Sequence, residues 1–144
     1  MSNDTYVGSL EVRARVARLA TVDPENKPHV VPVVFAFDDT YYYIPLDEKT
    51  KRHKAEDLKR VKNIRQNPNV SLLIDEYQED WNKLHFVIIH GIASLVFKEG
   101  QDASLLKKAH NLLCKKYPQY QTLCLGESCI KIRPEKTFRW QNKS

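Results

Sequence analysis

The 144-residue sequence predicts an α+β domain built on a small antiparallel barrel, and three observations point to it. Short apolar, β-branched runs outnumber the helical stretches. Tight turns join the first three of these runs, whereas parallel neighbours would need a crossover of a dozen or more residues. Only two segments carry a helical period, so the order reads βββαββαβ. A chain of this length can bury a core of its own, and a single domain over residues 1–144 is expected without disulfide or metal staples.

The first strand is "VARLATVD" (Val16 to Asp23), stopped by the turn "PENKP". From Pro28 to Phe37 a run rich in valine predicts one strand, apolar on both faces and therefore covered on both. Asp38 and Asp39 turn the chain into "TYYYIPL" (Thr40 to Leu46), whose alternation sets Tyr41 and Tyr43 against Tyr42 and Ile44. Leu58, Val61 and Ile64 recur at helical spacing until Asn67-Pro68 ends the helix. A buried strand follows at Asn69 to Asp75. After the polar link "EYQEDWNK", Leu84 to Phe97 predicts the longest strand, with Gly91 marking a bulge or bend. Leu105, Leu106, Ala109, Leu112 and Leu113 share one face of a helix over Gln101 to Lys116, closed by Pro118. Two short extended pieces, Ser128 to Arg133 and Thr137 to Trp140, complete the chain.

Composition excludes several functions. The longest apolar run, "VVPVVFAF", is far shorter than the roughly 18 residues of a membrane helix. The start "MSNDTYVGS" has neither the basic nor the apolar region of a signal peptide, so the expected location is cytoplasmic. Cys114, Cys124 and Cys129 form no C-x-x-C pair and predict reduced, half-buried side chains. Four isolated glycines cannot write a dinucleotide-binding or P-loop motif. His85 and His90 fall on opposite faces of one strand with no carboxylate at a ligand offset, so no metal is expected. "LGESCI" lacks the second glycine of a nucleophile elbow. With no side-chain catalytic set, an enzyme of this sequence would rely on a cofactor for its chemistry.

Charge points to an anion. Between Lys49 and Arg65 stand eight cations, Lys49, Lys51, Arg52, Lys54, Lys59, Arg60, Lys62 and Arg65, against Glu56 and Asp57, while the whole chain carries only +5. A solvated helix face, a nucleic acid, an acidic membrane surface or a phosphorylated small molecule could each account for such a stripe. Nucleic-acid binding is disfavoured because no aromatic or base-reading residue is interleaved with the cations.

The succession "RLATVD…KPHVVPVVFAFDDTYYYIPLD…NIRQNPNVSLLIDEY" resembles the pyridoxamine 5'-phosphate oxidase-like family of FMN-binding split β-barrels over Val16 to Trp140. The "EDW" at Glu79 to Trp81 and "YPQY" at Tyr117 to Tyr120 are similar to a subgroup of deazaflavin (coenzyme F-420)-dependent oxidoreductases. The resemblance implies a Greek-key-like antiparallel barrel with two or three flanking helices. It also implies a homodimer with FMN, or alternatively the deazaflavin, in the cleft between chains, and hydride transfer to or from an unidentified small molecule. By the same resemblance, backbone groups of Pro32, Val33, Val34 and Phe35 and of Tyr43, Ile44, Pro45 and Leu46 line the ring. Arg60, or Lys49, Lys51 and Arg52 in the longer loop, or both sets together, hold the phosphate, and Trp140 and Trp81 are either stacking lids or, respectively, a buried core residue and a dimer contact. The chain ends "RPEKTFRWQNKS", with Arg139 and no histidine, which departs from the C-terminal Arg and His pattern of the classical oxidases. Pyridoxamine phosphate itself is therefore not the expected substrate.

Overall fold

The computed structural model describes residues 10–46, 57–121 and 125–142. Strands β1 (Ala17–Val22), β2 (Pro28–Val33), β3 (Ala36–Phe37) and β4 (Tyr42–Pro45) precede helix α1 (Lys59–Gln66). Then come β5 (Asn69–Glu76), β6 (His85–Phe97), helix α2 (Ala103–Lys116) and β7 (Ser128–Gln141). All strand pairs among them are antiparallel, and the spatial order is β2-β1-β5-β6-β7-β4-β3. The two edges of this curled sheet, β2 and β3, are consecutive in the chain. The predicted α+β split barrel is the fold observed.

The connection between the edges corrects the reading of Pro28 to Phe37 as one strand. The chain breaks at Val34 and Phe35, so β2 pairs with β1 on one edge while β3 pairs with β4 on the other. Tyr117 holds the break: its hydroxyl accepts the Phe35 N–H at 3.2 Å and lies 3.2 Å and 3.0 Å from the carbonyl oxygens of Phe35 and Arg15. These bonds supply partners to buried backbone groups that the lost ladder would leave without any. Nor is β2 covered on both faces, because Pro28, Val30 and Pro32 point outward and are exposed.

Alternation sorts the rest of the core. On β4, Tyr42 and Ile44 enter the barrel with Leu19, Leu72, Ile74, Ile89, Ile130 and Ile132. Tyr43 faces the other way and packs with Val96, Cys129 and, on α2, Leu106 and Ala109. That is why every residue of β4 is buried. Val61 and Ile64 of α1 close the barrel beside Leu46, and buried Asn63 donates to the Thr21 hydroxyl at 2.9 Å. Asp38 organises the β3–β4 turn, accepting from the Thr40 and Tyr41 N–H groups and the Tyr43 hydroxyl while pairing with Lys108.

The bulge predicted at Gly91 lies where the β6–β7 register shifts, between His90 and Gly91. The two C-terminal pieces expected from the sequence are instead one strand of 14 residues, which passes through Pro134 at that irregularity. There the proline's missing N–H falls where the ladder is already interrupted.

Candidate cofactor site

Pro32, Val33, Val34 and Phe35 sit at the end of β2 and in the break; Tyr43, Ile44, Pro45 and Leu46 form β4 and its exit. The fold brings these two groups together, since β3 pairs with Tyr42 and Tyr43 and the described ladder on that side stops there. Beyond Tyr43, β4 has no β3 partner among the described residues. Val33, Phe35, Tyr43, Ile44 and Leu46 are all buried in the core. Phe35 offers less backbone than the sequence implied, as its N–H is taken by Tyr117. Pro32 is exposed.

Arg60 lies in the first turn of α1, half-buried, on a helix that shares the barrel core with Ile44 and Leu46. Its neighbour Lys59 pairs with Asp23 at 3.5 Å. Backbone N–H groups of Lys27 and Glu25, together with Lys59, hold the Asp23 carboxyl below its usual range against the opposing effect of desolvation. Lys62 and Arg65 point to solvent. The remaining phosphate candidates, Lys49, Lys51 and Arg52, lie outside the described residues.

Trp140 lies toward the far end of β7. It stands eight residues beyond Ile132, the last β7 partner of β4, roughly 25 Å along an extended strand. There it stacks on Phe86, with ring centroids 5.4 Å apart, on the outward face of the sheet. Phe138 tilts against the same ring. Val30, Phe138 and Trp140 are 60%, 50% and 39% exposed, so one chain leaves an apolar outer surface uncovered. Trp81, in the β5–β6 link, is also exposed, and its indole N–H lies 3.3 Å from the Tyr77 hydroxyl.

Sequence reading missed the polar group inside the barrel end. Glu11, only 1% exposed, receives a charge-assisted contact from Arg139 and the Tyr42 hydroxyl at 3.1 Å. Burial, then the adjacent carboxylate, pushes the Tyr42 phenol far above its ordinary value and keeps it a donor. Nothing in the spacing of Glu11, Tyr42 and Arg139 could have joined them, as they lie in three elements. Cys129, also fully buried, has its thiol pushed up to about 12 by desolvation and is inert at neutral pH.

Among the described residues no helix is long and apolar enough to cross a membrane, and no cluster of three His, Cys, Asp or Glu could hold a metal. The curled antiparallel sheet and the switch of one strand between its edges define a split β-barrel protein. The chain belongs to the pyridoxamine 5'-phosphate oxidase family, whose model matches residues 7–141.

Solved structures share this fold at low identity. A conserved hypothetical protein of Mycobacterium tuberculosis is 18% identical, with a TM-score of 0.74 over 99% of this chain and 86% of that one. HutZ, the haem storage protein of Vibrio cholerae, is 16% identical, with a TM-score of 0.71 over 98% and 95% of the respective chains. An FAD-binding protein of Mesorhizobium loti is 20% identical, with a TM-score of 0.67 over 96% and 92%. No curated protein matches.

Proposed function

We propose that the protein is a cytoplasmic, homodimeric oxidoreductase that holds FMN, or alternatively coenzyme F-420, in a cleft between two chains. The observation that carries this reading is the family match across residues 7–141. The likeness to an FAD-binding protein supports it. When bound, the flavin would supply hydride transfer to or from a small molecule. The chain's own part is position and charge. In this reading a flat ring is held by backbone groups of Pro32 to Phe35 and Tyr43 to Leu46, and a phosphate by the half-buried guanidinium of Arg60. Lys49, Lys51 and Arg52 are the further phosphate ligands of this reading.

Exposed apolar side chains support the dimer. In this reading Trp140, toward the far end of β7, is supplied to the cofactor cleft by the second copy. Burying Val30, Phe138 and Trp140 against a twofold-related copy would also cover the apolar outer face. Light scattering at micromolar concentration with flavin present is expected to give the mass of two chains; a stable folded monomer contradicts the shared site.

Titration calorimetry with FMN, with coenzyme F-420 and with haem tests the cofactor. One saturable flavin site per chain is expected. Arg60→Ala, and the pair Lys51→Ala with Arg52→Ala, should each weaken flavin binding by about 1–3 kcal/mol, the worth of a lost charge-assisted contact, and Lys62→Ala should change little. Saturable haem binding without flavin binding would favour a second reading, haem carriage, which the likeness to a haem storage protein supports. Equal small losses at every basic position, with salt-sensitive binding to a nucleic-acid duplex, would instead favour a nucleic-acid module.

A further inference from the structure

We propose that Ser71 is a nucleophile activated by His90, at a cleft on the outward face of the sheet that takes the acyl group of small esters. Ser71 of β5 and His90 of β6 are directly opposed across the ladder, and the Ser71 Oγ lies 2.7 Å from the His90 Nδ1. At that separation an imidazole can take the proton of an attacking hydroxyl. The pair stands at the bulge. The β6–β7 register shifts between His90 and Gly91, so that His90 faces Lys136, Gly91 faces Pro134, and Glu135 between them has no strand partner on β6. Bulges re-aim side chains, and here Glu135 joins Ser71 and His90 around one cleft of about 270 Å³. Small neighbours leave the hollow open: Ala20, opposite Ser71 on β1, and Gly91 supply no bulk to fill it.

His90 and Glu135 are exposed, so a small molecule can approach. Asn69 lines the same cleft, and one of its amide N–H groups bonds to Asn67 Oδ1 at 3.0 Å, which leaves the second for a substrate oxygen. The cleft falls just below the roughly 300–1,000 Å³ of pockets for larger ligands, so it suits a short acyl chain. The step uses the imidazole tautomer protonated at Nε2, in which Nδ1 accepts from the hydroxyl. The Ser71 Oγ attacks the ester carbonyl carbon, its proton passes to Nδ1, and the C=O π electrons move to oxygen. As these electrons return, the bond to the leaving oxygen breaks, and that oxygen takes the proton from the imidazolium. Water then attacks the acyl-serine in the same way and releases the carboxylic acid and free Ser71. No oxidant or reductant is consumed. The site is independent of the flavin reading.

The probes are an alkyl fluorophosphonate, which reacts with activated serine oxygens, and p-nitrophenyl acetate, whose hydrolysis releases a coloured phenolate. Full-length native protein is treated with each, and the label at every serine is quantified by peptide mass spectrometry. Ser71 is expected to take up the fluorophosphonate about a hundredfold faster than the exposed Ser94 and Ser104, the low end of what a positioned general base contributes. His90→Gln keeps a hydrogen-bonding group but no base, and should bring Ser71 down to the level of those two. Ser71→Ala should reduce ester hydrolysis to the rate of its surface histidines alone, and p-nitrophenyl decanoate should turn over about tenfold more slowly than the acetate. Circular dichroism confirms that each variant is folded. Labelling of Ser71 no faster than that of Ser94 and Ser104, or hydrolysis unchanged in folded Ser71→Ala protein, overturns the proposal. Unchanged labelling in folded His90→Gln protein overturns the role of His90, and equal turnover of the two esters overturns the short-chain preference.

Discussion

Arg139→Leu is expected to destabilise the protein by about 3–5 kcal/mol in equilibrium denaturation, the cost of leaving one member of a buried ion pair without its partner. Glu11 is 1% exposed, and its remaining side-chain partner, the Tyr42 hydroxyl, is a neutral donor. The Arg139 side chain, by contrast, is 42% exposed. The two ends of the pair are therefore unequal: Glu11→Leu releases a guanidinium that water can reach, whereas Arg139→Leu strands a carboxylate that it cannot. Glu11→Leu should cost clearly less than Arg139→Leu. The double variant, with both charges gone, should recover most of the loss, since a well-packed apolar pair often equals a buried ion pair in stability. Equal costs for the two single variants, or an additive double variant, would mean that Glu11 reaches solvent.

The second large effect is expected at Gly91. A Cβ built there would stand 2.5 Å from the Arg133 carbonyl oxygen and 2.9 Å from Cγ2 of Ile132. The nearer atom belongs to backbone in the middle of β7, so relief requires parting the β6–β7 ladder at its bulge. Gly91→Ala should cost about 2–3 kcal/mol, the upper range for overpacking. Gly100 provides the contrast. Its φ of +101° disfavours any side chain, yet no atom lies within 4 Å of its Cβ position. Gly100→Ala should cost only about 1 kcal/mol, through backbone conformation alone. Chemical denaturation of the two variants side by side separates steric from conformational need for glycine.

By itself the sequence determined the helices, most of the strands and the two faces of β4. Leu58, Val61 and Ile64 marked α1, and the alternation in "YYYIPL" sent Tyr42 and Ile44 to one side and Tyr43 to the other. Gly91 marked the bulge correctly. These features are local, being set by side-chain period and by what glycine and proline do to a backbone, and so they can be read along one dimension. Tertiary structure alone decided where strands end. Pro28 to Phe37 carries an unbroken β-rich pattern, yet it splits because its two ends pair with opposite edges of the sheet and Tyr117, some 80 residues away, satisfies the backbone at the break. Ser128 to Gln141 carries a proline that suggests two pieces, yet it runs as one strand because β6 pairs along both sides of the interruption. The grouping of Glu11 with Tyr42 and Arg139, and of Ser71 with His90 and Glu135, was likewise invisible in the sequence. Such groups join residues from separate elements, and the register and curl that bring them together are fixed by closure of the barrel rather than by any local pattern.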